Sequence, residues 1–164
     1  KYHYDGHRLC NVSLKPEETK KRNFLCPKCG RGLTVGVLAR VEQLADRAEG
    51  FRHVNPIPYK SVIPLDQVIA DSLGMSSTSN TGWPKSVWQE YERLIKNLGN
   101  EFNVLLEASR EQLEKNTLPS IAEGIIKVRK GEVHIEPGYD GEYGKIKIFS
   151  AEERENVSKQ ATLL

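Results

Sequence analysis

The sequence predicts an α+β fold, mostly helical, in which a small cysteine-bearing module precedes a helical domain that ends in a β-hairpin. Three observations predict it. All three cysteines of the 164 residues fall at positions 10, 26 and 29. Between residues 64 and 131, apolar residues recur at helical spacing between proline starts and glycine stops. From 132 to 149 the pattern changes to alternation around a glycine-rich turn.

Taken in order, residues 1–50 form the first module and its following helix. "KYHYDGHRLC" opens with a short strand at Tyr2–Tyr4, and Pro16 starts a charged helical turn that runs to Arg22. From Val35 a helix is expected, with Val35, Leu38, Val41, Leu44 and Ala45 on one stripe. It stops near Gly50. Residues 51–150 form the helical domain. "HVNPIPYK" is an extended connector, because two prolines in three residues exclude helix. Pro64 then opens a helix over 64–73 that Gly74 ends. The polar loop 76–82 precedes the most amphipathic helix, Pro84 to Leu98, whose Val87, Trp88, Tyr91, Leu94, Ile95 and Leu98 share one face. "FNVLLEA" at 102–108 reads as a strand, and Ser109 caps a helix over 109–116. Residues 119–131 read as a last helix, followed by the hairpin. The polar stretch 151–164 reads as a mobile tail.

The cysteines carry the chemistry. "FLCPKCG" is a Cys-x-x-Cys knuckle closed by glycine, and "HRLC" supplies His7 and Cys10 three residues apart. The spacing His-x2-Cys-x15-Cys-x2-Cys is that of a zinc ribbon, with His7, Cys10, Cys26 and Cys29 around one Zn2+. His3 is the competing fourth ligand. Four available ligands and no knuckle carboxylate to act as base make this a structural zinc site, not a hydrolytic one. An odd cysteine count argues against a disulfide framework.

Charge is unevenly spread. Residues 1–40 hold nine Lys/Arg against three acids, although the whole chain carries only +2. A basic module on a near-neutral body suits phosphate backbones, or is the ordinary solvated face of a small zinc module. Candidate DNA contacts are Arg8, Lys28 and Arg31 on the module, Lys85 and Ser86 at a helix start, and Lys127, Arg129 and Lys130 at a helix end. Tyr139, Tyr143 and Lys145 join them on the hairpin. The same hairpin admits two other readings. Its tyrosines pack on a helix while its acids face water, or Glu136, Asp140 and Glu142 bind a divalent ion. Trp83 and Trp88 read as core anchors, and His53 and His134 as structural. No apolar run is long enough to cross a bilayer. No nucleophile triad, phosphate loop or dinucleotide fingerprint appears. The chain opens without methionine, as a cut from a longer protein would.

The segments "KYHYDGHRLC", "CPKCGRGLTVGVLARVEQLADR", "EYERLIKNLGNEFNVLLEA", "IAEGIIKVRKG" and "PGYDGEYGKIKIF" occur in that order. Together they resemble the C-terminal half of the endonuclease Q family of DNA-repair nucleases. The resemblance implies a preceding PHP-type domain that carries the hydrolytic metals, and nicking of DNA 5′ of deaminated bases or abasic sites. It also implies a cytoplasmic, nucleoid-associated protein. The first cysteine of the family's first knuckle falls at His7, which supports His7 over His3. "QATLL", with Gln160, Leu163 and Leu164, is similar to the start of a sliding-clamp box.

Two functions follow. In the first, the chain is the DNA-binding, lesion-engaging region of a repair endonuclease and is not catalytic alone. In the second, zinc shapes a protein-interaction module that docks a helicase, a sliding clamp or the preceding domain.

Overall fold

The structure is a computed structural model that describes residues 2–75, 82–150 and 152–153. The clamp-box residues of the tail and most of the 76–82 loop lie outside the described residues. The chain divides into two compact units: unit 1 comprises residues 1–58 with 135–146, and unit 2 comprises 59–134 with 147–164.

Unit 1 is built on β1 (Tyr2–His7), a 3-10 turn (Arg8–Cys10) and β2 (Val12–Leu14). β1 and β2 pair antiparallel, with His7 opposite Val12 and Asp5 opposite Leu14. Pro16 starts α1 (Pro16–Lys21), where the Glu18 carboxylate accepts the Lys15 N–H at 3.0 Å. α2 (Val37–Leu44) begins two residues later than its pattern suggests, because Thr34 pairs with Gly6 and Gly36 is extended. Gly36 must be glycine. Its N–H donates to the buried Asp5 carboxylate at 2.6 Å, and a Cβ there would strike the His3 and Tyr4 carbonyls. The expected stripe is not a core face: its Val35, Val41 and Leu44 are exposed, and the residue that α2 buries is Ala39, outside that stripe.

Unit 2 contains α3 (Leu65–Ser72), α4 (Lys85–Leu98), α5 (Arg110–Asn116) and α6 (Pro119–Lys130). Apolar periodicity builds its core. Leu65, Val68, Ile69, Val87, Leu94, Leu113, Ile121 and Ile125 are fully buried where α3, α4, α5 and α6 meet. Glu101 joins the ends of this bundle by accepting the Leu65 N–H at 2.8 Å and the Tyr91 hydroxyl at 3.2 Å. Ser109 caps α5 as expected, in a reciprocal box with Gln112.

Residues 102–108 are not a strand. Asn103–Glu107 form a π-helical turn. The reason is visible in burial: neighbours Val104 and Leu105 are both buried while Phe102 is exposed, so the apolar run does not alternate.

The C-terminal segment forms β3 (His134–Glu136), β4 (Gly138–Tyr139) and β5 (Lys145–Lys147). β3 pairs with β5, as a hairpin requires. Between them β4 leaves the hairpin and pairs parallel with β1, giving a three-stranded sheet of order β2-β1-β4. Ile148 and Phe149 then enter the core of unit 2.

Candidate metal centre

Local chain geometry places each thiol. Asn23 and Phe24 adopt left-handed φ values of 51° and 60°, turning the chain into the second knuckle. There the Gly30 N–H returns to the Cys26 carbonyl at 2.9 Å, and the Cys26 N–H reaches the Arg31 carbonyl at 2.7 Å. Gly30, at φ 71°, is the left-handed exit that a side chain would strain. In the first knuckle His7 ends β1, and Asn11 closes the 3-10 turn with a left-handed φ of 49° and its N–H on the Arg8 carbonyl.

These two turns gather four donors. One ligating atom from each of His7, Cys10, Cys26 and Cys29 lies within 4.8 Å of every other. The Nδ1 of His7 and the Sγ of Cys29 are 3.3 Å apart. Donors of a tetrahedral zinc-type site are about 3.3–3.8 Å from one another, given metal–sulfur distances of about 2.3 Å and metal–nitrogen distances of about 2.0 Å. The His7–Cys29 pair falls in that range, and the four donors form a group that could hold one thiophilic ion. His3 is exposed and outside it. Among the described residues, Glu136, Asp140 and Glu142 form no comparable donor group.

Crowding the thiols splits their acidities. A hydrogen bond with Cys29, followed by burial, pushes Cys10 up to about 11. Burial also pushes Cys26 up, but the backbone amides of Lys28 and Cys29 outweigh it and bring that thiol down to about 6. A cation between the sulfurs removes the conflict by favouring every thiolate.

The other expected site residues are dispersed. Arg8, Lys28 and Arg31 are exposed on unit 1, and Lys85 and Ser86 are exposed at the start of α4. Tyr143 is exposed with its ring tilted against Tyr2, and Lys145 is exposed on β5. Tyr139 turns inward and donates its hydroxyl to Asn11 at 2.7 Å. Lys130 is exposed, 3.9 Å from Glu132. Two cations of α6 face protein instead of solvent. Lys127 is buried against Glu153 at 2.6 Å and over the Phe149 ring. Arg129 spends its guanidinium on the carbonyls of Val104, Leu105 and Ala108 at 2.6–2.7 Å. Sequence reasoning missed Asp140 as a structural hub: it accepts from the Arg8 N–H and the Thr34 hydroxyl. The sole hint was its place before Gly141 in a turn.

The model of the MJ0043 C-terminal domain family matches residues 64–132. The crystal structure of the lesion-specific endonuclease PfuEndoQ from Pyrococcus furiosus aligns over 95% of this chain and 38% of its own, with a TM-score of 0.73 and 28% identity. The chain resembles the C-terminal part of the endonuclease Q family. A second endonuclease Q structure, a complex with a 27-mer duplex substrate that has an abasic lesion at the active site, aligns over 94% of this chain and 37% of its own. Its TM-score is 0.72 at 29% identity. Among curated relatives, the Methanocaldococcus jannaschii protein MJ0043 is 39% identical over 163 residues, 99% of this chain and 20% of that protein. The Bacillus subtilis protein YqxK is 32% identical over 148 residues, 90% of this chain and 33% of that protein. The chain thus spans a third or less of the curated relatives it matches. No helix of the described residues is long and apolar enough to cross a membrane.

Proposed function

We propose that this chain is the DNA-engaging part of a lesion-specific endonuclease, with zinc as a structural ion in unit 1 and hydrolysis performed by a PHP-type domain outside this chain. The observation that carries this reading is the likeness, over 94% of the chain, to an endonuclease Q structure that holds a lesion-bearing duplex. The donor set supports zinc. Three thiols and an imidazole complete four-coordination and leave no carboxylate or open position for a reacting water. When bound, the ion supplies positive charge that holds two knuckles together. The chain's own residues fix the strands around it. Unit 1 needs such a staple, because among the described residues its buried apolar cluster is small: Val12, Cys26 and Leu33, with Cys10 and Leu14 packed against it.

Contact with DNA falls in this reading to the exposed cations Arg8, Lys28, Arg31, Lys85 and Lys145 and to the exposed Tyr143 ring. These charges neutralise phosphates and release counterions, so affinity should fall steeply with salt, with a log–log slope of about −0.9 per phosphate contacted. The test is fluorescence anisotropy with abasic and undamaged duplexes across a salt series, alongside a nicking assay. Salt-dependent binding without nicking is expected. Absence of binding at low salt would remove the DNA role, and nicking by the chain alone would overturn the division of labour.

A second reading has its own observation. The exposed Val37, Val41 and Leu44 on α2 give unit 1 an apolar strip suited to protein docking. Salt-insensitive association with a helicase, a clamp or the catalytic domain, lost in Val41→Asp, is what that reading expects.

A further inference from the structure

The first knuckle is gripped on both sides by a segment far away in sequence. Asp140 Oδ2 accepts the Arg8 N–H at 2.5 Å across 132 positions. Its Oδ1 accepts the Thr34 hydroxyl at 2.6 Å. Thr34 itself is paired with Gly6 in both directions, at 2.9 and 2.8 Å. One carboxylate therefore ties the residue after His7 to the segment that leaves the Cys26–Cys29 knuckle. Next to it, the Tyr139 hydroxyl donates to Asn11, the residue after Cys10, at 2.7 Å. The Tyr139 ring lies where a Cβ on residue 6 would be, so glycine there makes room for it. The segment is itself a tight turn: the Tyr139 and Glu142 backbones exchange hydrogen bonds, and Asp140 and Gly141 have φ values of 38° and 87°.

We infer that Tyr139 and Asp140 are positioning residues for the metal centre, an outer clamp that keeps the His7–Cys10 knuckle in ligating geometry. The Arg8 N–H belongs to the rigid peptide plane that starts at the His7 carbonyl. Fixing that N–H restrains ψ of His7, and so the backbone from which the imidazole projects. The Tyr139 hydroxyl anchors the Asn11 side chain, on the residue that closes the turn after Cys10. Groups that orient ligands from outside a metal shell in this way typically change metal affinity 10- to 100-fold when removed. Coupling of this kind is reciprocal, so metal loading also orders residues 138–142, the part of unit 1 that includes the clamp.

The inference rests on the zinc reading above, and the experiment separates the two. The chain is loaded with Co2+, and its visible spectrum and the rate of metal transfer to a chelator are compared for the unaltered chain, Asp140→Ala, Asp140→Asn and Tyr139→Phe. Asn retains an acceptor for the Arg8 N–H and a donor for Thr34, so it should rescue the site. Asp140→Ala should release metal about 10-fold faster and shift the cobalt bands, whereas Asp140→Asn should stay within about threefold of the unaltered chain. If Asp140→Ala does not fold, Tyr139→Phe decides, since it removes only the bond to Asn11 and should still accelerate release. Unaltered release and spectra in the folded variants would overturn the clamp. Equal losses in Asp140→Ala and Asp140→Asn would assign the effect to charge and overturn it too. Failure of the unaltered chain to bind metal at all would remove the zinc reading itself, and the clamp with it.

Discussion

Removing Arg129 tests whether the cations at the end of α6 hold the fold or meet DNA. Its guanidinium makes three hydrogen bonds of 2.6–2.7 Å to the carbonyls of Val104, Leu105 and Ala108, all buried residues of the π-helical turn and its exit. Hydrogen bonds to a charged group are worth about 1.5–3 kcal/mol each, but three that share one side chain do not add. Arg129→Ala should therefore cost about 3 kcal/mol. Arg129→Lys retains the charge but concentrates its donors on one atom, and should recover less than half of that loss. The assay is urea denaturation followed by tryptophan fluorescence, because both tryptophans, Trp83 and Trp88, lie in unit 2. With an m-value of about 1.5 kcal/mol/M, the Arg129→Ala midpoint should drop by about 2 M. DNA affinity of the folded variant should stay the same. A shift below about 0.5 M, together with weaker DNA binding, would refute the argument and return Arg129 to a phosphate-facing role.

Three further outcomes are expected. His7→Ala should lose bound metal by elemental analysis while His3→Ala retains it; the reverse would move the fourth ligand. Near neutral pH, metal uptake should release at least one proton. Cys10, pushed up to about 11 without metal, is still a thiol there, whereas Cys26 at about 6 is already a thiolate. Affinity should therefore fall as pH is lowered, and metal uptake with no proton release in a weakly buffered indicator solution would contradict this. Gly124→Ala should destabilise unit 2 by about 1–3 kcal/mol, because the new Cβ would collide with the Ser72 hydroxyl where α3 crosses α6. A thermal midpoint unchanged or raised by Gly124→Ala would show that this crossing has slack.

What was legible in the sequence was local. The two knuckles could be read because ligands of one ion must be a few residues apart. Pro84, Gly99, Pro119 and Gly131 marked helix ends because each acts on its own φ. The residues that were misplaced depend on docking. Lys127 and Arg129 look like free cations at a helix end, and only the approach of Glu153 and of the 103–108 turn to α6 makes them internal. Asp140 looked like one acid among several, because its partners Arg8 and Thr34 are more than a hundred positions away. The 102–108 run was apolar enough for a strand, and burial of adjacent Val104 and Leu105 is a packing outcome that no local pattern encodes.

The return of residues 135–146 to unit 1 has a consequence for biosynthesis. Cys29 completes the donor set early, but Asp140 is added only after roughly 110 further residues, which takes about 5–20 s at ordinary elongation rates. During that interval the nascent knuckles can capture an ion but have no β4 against them. Under the proposed clamp, metal held then should exchange readily and become locked only once β4 has paired with β1.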